Sequence, residues 1–170
     1  MKGKAAKREQ KVAVSEPVVS IPGDAIHSLR LELSNLLGKK LAAGVLFRFG
    51  YHCGESLAGG YVQGQAGDVS IAKLLEEVWV HTGLGTIAGV QEISEDEMEL
   101  ELEESTEALS AGSSAEPVCD YTRGYLAGVV NKVLGAKFYC VETSCMSQGA
   151  PRCTFQMLVF PHKVYVSKKP

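Results

Sequence analysis

Apolar positions recur at helical spacing in three successive stretches of the first half of the chain. Ile26, Leu29, Leu33, Leu36 and Leu37 form one stripe between Asp24, read as an N-cap, and Gly38, read as a stop. From Lys39 to about Gln63 the pattern continues through Leu41, Val45, Leu46, Phe49 and Leu57, but Gly44, Gly50, Gly54, Gly59 and Gly60 interrupt it. An interior glycine costs up to about 1 kcal/mol relative to alanine. Close approach of another helix, a kink or a ligand passing the backbone must compensate. Ile71, Leu74, Leu75, Val78 and Trp79 define a third helix, capped near Asp68 or Ser70 and closed by Gly83. The period then falls to two. Thr86 to Gln91 and Glu97 to Glu103 read as strands around Ser94, Glu95 and Asp96, with Met98, Leu100 and Leu102 alternating against Glu97, Glu99, Glu101 and Glu103. One face of that second strand is expected inside, and the other as a solvated row of carboxylates.

In the last fifty residues, Ala111 to Ser114 reads as a loop and Pro117 as the first position of a helix. The helix runs through Tyr121, Tyr125, Ala127 and Val130 to Gly135. Lys137 to Thr143 and Thr154 to Phe160 read as strands, joined by a turn cluster from Met146 to Pro151. Three helices, a hairpin, a helix and a second hairpin predict an α+β domain with an antiparallel sheet and helices packed on one side.

Composition narrows this to one core. The chain has 170 residues, 45% hydrophobic and 22% charged, enough for a single domain and too few for a sensor joined to an output domain. The domain is expected over residues 19–164. A flexible basic tail (1–18, with Lys2, Lys4, Lys7, Arg8 and Lys11) precedes it and a short tail (165–170) follows. A net charge of -3 and a pI near 5.8 leave no electrostatic footprint for nucleic acid. Apolar runs are broken well before membrane-spanning length and no secretory leader is evident, so a cytoplasmic address is expected.

The chemistry lies in Cys119, Glu142, Cys145 and Cys153, spaced as a helix start, a strand end and a hairpin would space ligands. Three thiols and one carboxylate suit a closed tetrahedral zinc site. Two other readings stay open: buried thiols acting as small hydrophobes, and a Cys145–Cys153 disulfide or redox pair across the hairpin. Five cysteines, an odd number, in a chain without a leader favour reduced thiols. Cys53 and Cys140 read as core. Phe47, Tyr51 and His52 are either core and interface residues or part of a pocket wall.

The run Pro117-Val118-Cys119-Asp120-Tyr121, then Gly124-Tyr125-Leu126-Ala127-Gly128, Val141-Glu142-Thr143-Ser144-Cys145, Gly149 and Cys153-Thr154-Phe155 resembles the 4-vinyl-reductase domain family. That module is also the sensor of phenol- and xylene-responsive transcription activators. The resemblance implies a structural Zn2+ held by Cys119, Glu142, Cys145 and Cys153, and a fold related to haem-NO-binding domains and TRAPP-complex subunits. It also implies an internal hydrophobic cavity and a homodimer formed through helices, with the glycine-rich second helix a candidate contact. The phenol sensors read the hydroxyl with a His and a Trp, whose positions align with Trp79 and Leu102. A more hydrophobic ligand follows, because a phenol hydroxyl would stay unpaired. Phe47, Tyr51, Trp79, Leu102, Tyr121 and Tyr125 are the candidate ligand-binding residues. The implied function is a standalone zinc-stabilised sensor or carrier domain for a hydrophobic or aromatic small molecule, read by a separate effector protein. The alternatives are a component of tetrapyrrole vinyl reduction and a structural scaffold. Vinyl reduction needs an electron source, and no Gly-x-Gly-x-x-Gly follows a strand here.

Overall fold

A computed structural model describes residues 19–62, 70–94, 96–135 and 137–159. Helix α1 (Gly23–Leu37) and helix α2 (Lys39–Val62) are separated by Gly38 alone. Asp24 is not the cap of α1. Pro22 takes that position at φ -58, and no side chain bonds the helix start. Packing sets the boundary instead: a Cβ on Gly23 would lie 2.5 Å from Thr106 Cγ2. Asp24 stays in the first turn, where its charge favours the helix dipole.

Helix α2 is unbroken despite its glycines, and its long partner is helix α5 (Asp120–Leu134). A Cβ on Gly50 would sit 2.0 Å from the Tyr121 carbonyl oxygen, and one on Gly54 2.1 Å from that of Tyr125. The fit is reciprocal. A Cβ on Gly124 would meet the Phe47 oxygen at 2.0 Å, and one on Gly128 the Tyr51 oxygen at 2.1 Å. Each helix thus presents two glycines four residues apart to the other's backbone, which permits dispersion and Cα–H···O contacts that a side chain would prevent. The expected role of these glycines in a contact with a second chain is therefore corrected, since α5 fills the face that Gly50 and Gly54 present.

Helix α3 (Ile71–Trp79) buries Ile71, Leu74, Leu75, Val78 and Trp79 as its stripe predicts. Ser70 holds the cap position without a side-chain bond, and Asp68 lies outside the described residues. Strands β1 (Thr86–Ser94) and β2 (Glu97–Glu103) follow, β1 three residues longer than its sequence pattern indicates. A short helix α4 (Thr106–Ala111) then occupies part of what reads as loop in the sequence. After α5 come β3 (Phe138–Ser144), a 3-10 turn (Met146–Gln148) and β4 (Cys153–Val159). Phe160, expected to end the last strand, lies outside the described residues, as do the two tails.

The four strands are ordered β1-β2-β4-β3, every pair antiparallel. Register places Leu100 opposite Phe155, Leu102 opposite Cys153 and Cys140 opposite Met157, all buried under the helices. The alternate positions Glu97, Glu99 and Glu101 face away, where Arg152 pairs with Glu101 at 2.8 Å and Glu103 at 2.6 Å. The fold is the expected α+β layer arrangement.

Candidate metal centre

Cys119, Glu142, Cys145 and Cys153 come from three parts of the fold and bring one ligand atom each within 4.8 Å of the others. Cys119 stands at the N-cap of α5, one residue before the helix and not inside its first turn. The helix starts at Asp120, later than Pro117 suggested, and the Arg123 N–H bonds the Cys119 carbonyl at 2.8 Å. Glu142 and Cys145 are three residues apart, a spacing that a regular strand would send to opposite faces. A register shift between Glu142 and Ser144 inserts one residue on β3 and turns both side chains inward. Cys153 opens β4 beyond the 3-10 turn, which Gly149 closes at φ 91.

The geometry fits a metal. Sulfurs at about 2.3 Å from a tetrahedral zinc stand about 3.8 Å apart. Here Cys119 Sγ lies 3.7 Å from Cys153 Sγ and 3.9 Å from Cys145 Sγ, and the Cys145 and Cys153 sulfurs are 3.9 Å apart. These are contacts between free thiols, so the hairpin disulfide is not formed. All three sulfurs are buried. Glu142 Oε2 accepts the Cys119 N–H at 3.0 Å, while its Oε1 is buried with no hydrogen-bond partner. An orphaned buried carboxylate oxygen beside three thiols is the arrangement a cation would complete.

Each sulfur also meets one polar neighbour: Ser105 Oγ at 3.4 Å from Cys119, Ser147 Oγ at 3.0 Å from Cys145, and the Met146 N–H donating to Cys153 at 3.3 Å. Such donors favour thiolates over thiols. Hydrogen bonds from Cys119 and Cys153 hold the Cys145 thiol far below its ordinary range. Cys119 is pushed far up by its bond to Cys145. Cys153, drawn down by Cys119 but raised by Cys145 and burial, ends at about 12. Burial pushes the Glu142 carboxyl up to about 8. The cluster holds one thiolate and keeps its remaining protons close by.

The head of α5 depends on two residues the sequence reading missed. Glu107 of α4, 1% exposed, accepts the Tyr121 and Thr122 N–H groups at 3.1 and 2.9 Å. Arg30 of α1 donates to Glu107 at 2.9 Å, to Asp120 at 2.7 Å and to the Val118 carbonyl. The available signal was Ser105 before Thr106-Glu107-Ala108, a helix start too short to show periodicity.

Among the candidate ligand residues, Trp79, Tyr125 and Tyr121 form a chain of ring contacts, Trp79 edge-on to Tyr125 at 5.8 Å and Tyr125 at 6.2 Å from Tyr121. Phe49, not singled out from the sequence, extends it at 5.5 Å from Tyr121. The Trp79 indole N–H donates to the Gly85 carbonyl at 3.0 Å. Leu102 lies in the core opposite Cys153. Phe47 and Tyr51 stand outside the ring chain, Phe47 under the Arg123 guanidinium and Tyr51 bonded by Asn131. His52 is an exposed partner of Glu55 rather than a pocket residue. Cys140 is core, as expected, and Cys53 is half-buried, with its thiol bonding the Tyr121 hydroxyl.

A sheet covered by helices on one face, with a Cys/Glu cluster at the head of the last helix, defines a sensor domain of the 4-vinyl-reductase type, and the model of that domain matches residues 98–158. The family model described as activator of aromatic catabolism matches residues 11–101, more than half of the chain. The chain belongs to that family. The fold is similar to the phenol-responsive sensory domain of the transcription activator PoxR, determined with phenol (TM-score 0.69, 24% identity, 84% of this chain and 76% of that one). It is also similar to a vinyl-4-reductase family protein from Methanocaldococcus jannaschii (0.59, 21%, 84% and 84%). A trafficking protein particle complex subunit 3 from Naegleria fowleri, covalently bound to palmitic acid, shares it too (0.57, 13%, 81% and 95%). So does an H-NOX protein from S. oneidensis (0.55, 17%, 89% and 82%). The expected relation to haem-NO-binding and TRAPP folds thus holds. Two uncharacterized proteins of M. jannaschii match at 24% identity over 74 residues and 38% over 45, and the matches span 46% and 28% of their lengths. No described helix is long and apolar enough to cross a membrane.

Proposed function

We propose that this protein is a zinc-stabilised ligand-binding domain, a sensor or carrier for an apolar aromatic or hydrocarbon molecule. The observation that carries the metal half is the cluster itself: soft thiolates at tetrahedral separation, with one carboxylate oxygen left unpaired. With four protein ligands, zinc has no open coordination position and joins α5, β3 and β4 as a structural element. The ligand half is supported by family membership and by the ring chain Trp79, Tyr125 and Tyr121. Leu102, Phe47 and Tyr51 belong to the same proposed ligand-binding set. Trp79 spends its N–H on Gly85 and Leu102 has no polar atom, so neither offers a partner to a phenol hydroxyl, and a less polar ligand is preferred.

The same proposal includes a homodimer, an effector protein that reads or receives the ligand, and a cytoplasmic address that keeps the thiols reduced. Leu36 (77% exposed), Leu41 (63%), Val45 and Phe49 lie on the outside of α1 and α2. That outer face, rather than the glycines, is the candidate dimer contact. Trp79 is the single tryptophan of the chain, so its emission tests the ligand reading. Titration with toluene or xylene is expected to change the emission at concentrations at least tenfold below those needed for phenol. Emission indifferent to all three would overturn it.

A further inference from the structure

We infer that Glu107 and Arg30 are positioning residues of the metal site, and that through them the filling of that site is felt at helix α1. The inference rests on the metal reading above. Its basis is the treatment of residues 118–122, the segment that carries Cys119. Arg30 donates to the Val118 carbonyl on one side of Cys119 and to the Asp120 carboxylate on the other. Glu142 accepts the Cys119 N–H. Glu107 accepts the N–H groups of Tyr121 and Thr122 with its two oxygens, one of which also takes Arg30. These partners belong to α1, β3 and α4. The Cys119 side chain is what the segment then offers to the metal.

A carboxylate 1% exposed is tolerated only with its partners in place, because removing one leaves a buried charge uncompensated. The arrangement therefore has one well-satisfied geometry. A metal that fixes Cys119 Sγ favours that geometry, and with it the seating of Arg30 and α1. By linkage the reverse also holds: whatever holds α1 in place strengthens metal binding by the same factor. The residues Leu36 and Leu37, which lie on the exposed end of α1, make this a route from the metal centre to the outer apolar face.

Cobalt(II) is the probe, titrated into the full chain against a competing chelator while the thiolate charge-transfer and d–d bands are recorded. Glu107→Gln and Arg30→Met are expected to weaken affinity roughly 10- to 100-fold, the range for groups that orient metal ligands, and to shift the d–d bands. Arg30→Lys should fall between, since one ammonium cannot span Asp120, Glu107 and Val118 together. Glu99→Gln, on the outer sheet face, should change neither. Hydrogen exchange on the unaltered protein serves if the buried variants fail to fold. Metal addition should slow exchange in α1 around Arg30 as well as at residues 118–122. Folded variants with unchanged cobalt affinity and bands, or protection confined to the Cys145–Cys153 hairpin, would overturn the inference. An unaltered protein that takes up no cobalt would fail the metal reading itself, which is a distinct result.

Discussion

Helix α5 is held in opposite ways at its head and along its flank. At the head, carboxylates and a guanidinium from α1, α4 and β3 reach in to satisfy backbone groups around Cys119. Along the flank, Gly124 and Gly128 let the backbone of α2 approach to distances that a Cβ would forbid. The first region is specified by side-chain chemistry and the second by the absence of side chains. Substitutions should therefore fail differently: chemical changes at the head should remove metal, and added bulk on the flank should remove stability with the ligands intact.

The largest effect is expected from Cys145→Ser. Structural zinc contributes about 10 kcal/mol or more of apparent folding free energy in small metal-dependent domains, so this variant should lose metal and cooperative unfolding together. Metal content and thermal melting with and without chelator measure both. A folded, fully loaded variant would remove the chemical half of the contrast.

Gly124→Ala comes next. Its Cβ would meet a backbone oxygen, so the helices must separate, at a cost of about 3 kcal/mol. Zinc content of the folded fraction should not change. Gly44 on the same helix as Gly50 has no atom within 4 Å of an added Cβ, so Gly44→Ala should instead stabilise by up to about 1 kcal/mol. Equal effects of the two in chemical denaturation would refute the close seam.

The effect of pH bears on the head of the helix alone. In the metal-free protein the Glu142 carboxyl is raised by burial from 4.5 to about 8. The folded state then holds a proton that the unfolded chain releases, and this contribution to stability is present below about pH 4.5 and is lost as pH climbs through 8. Metal reverses the sign, because it displaces protons from Glu142 and the thiols, so affinity rises over the same interval. Melting curves from pH 5 to 8 with and without zinc should diverge with increasing pH; parallel curves would argue that Glu142 is not a ligand.

The smallest effect on monomer stability is expected from Leu41→Glu on the outer face of α2, within about 0.5 kcal/mol. Its proposed consequence is loss of the dimer in sedimentation, with zinc content unchanged.

The same contrast explains what was legible in the sequence. Cys119, Cys145 and Cys153 announce themselves by residue type, and the alternation of Met98, Leu100 and Leu102 marks the limits of β2. Whether Glu142 could join the thiols was not legible, because the added residue on β3 that turns it inward leaves no mark in composition or period. The glycines of α2 were visible only as a cost; that Gly50 and Gly54 interlock with Gly124 and Gly128 depends on two helices meeting far apart in sequence. Glu107 was hidden for a similar reason. It sits in a six-residue helix and works through backbone groups of another.

Native mass spectrometry on protein purified without added metal puts the zinc-stabilised reading to its sharpest test. One zinc per chain is expected, lost together with the folded charge-state distribution on acidification. A metal-free chain lighter by two hydrogens, marking a disulfide among the thiols, would contradict it.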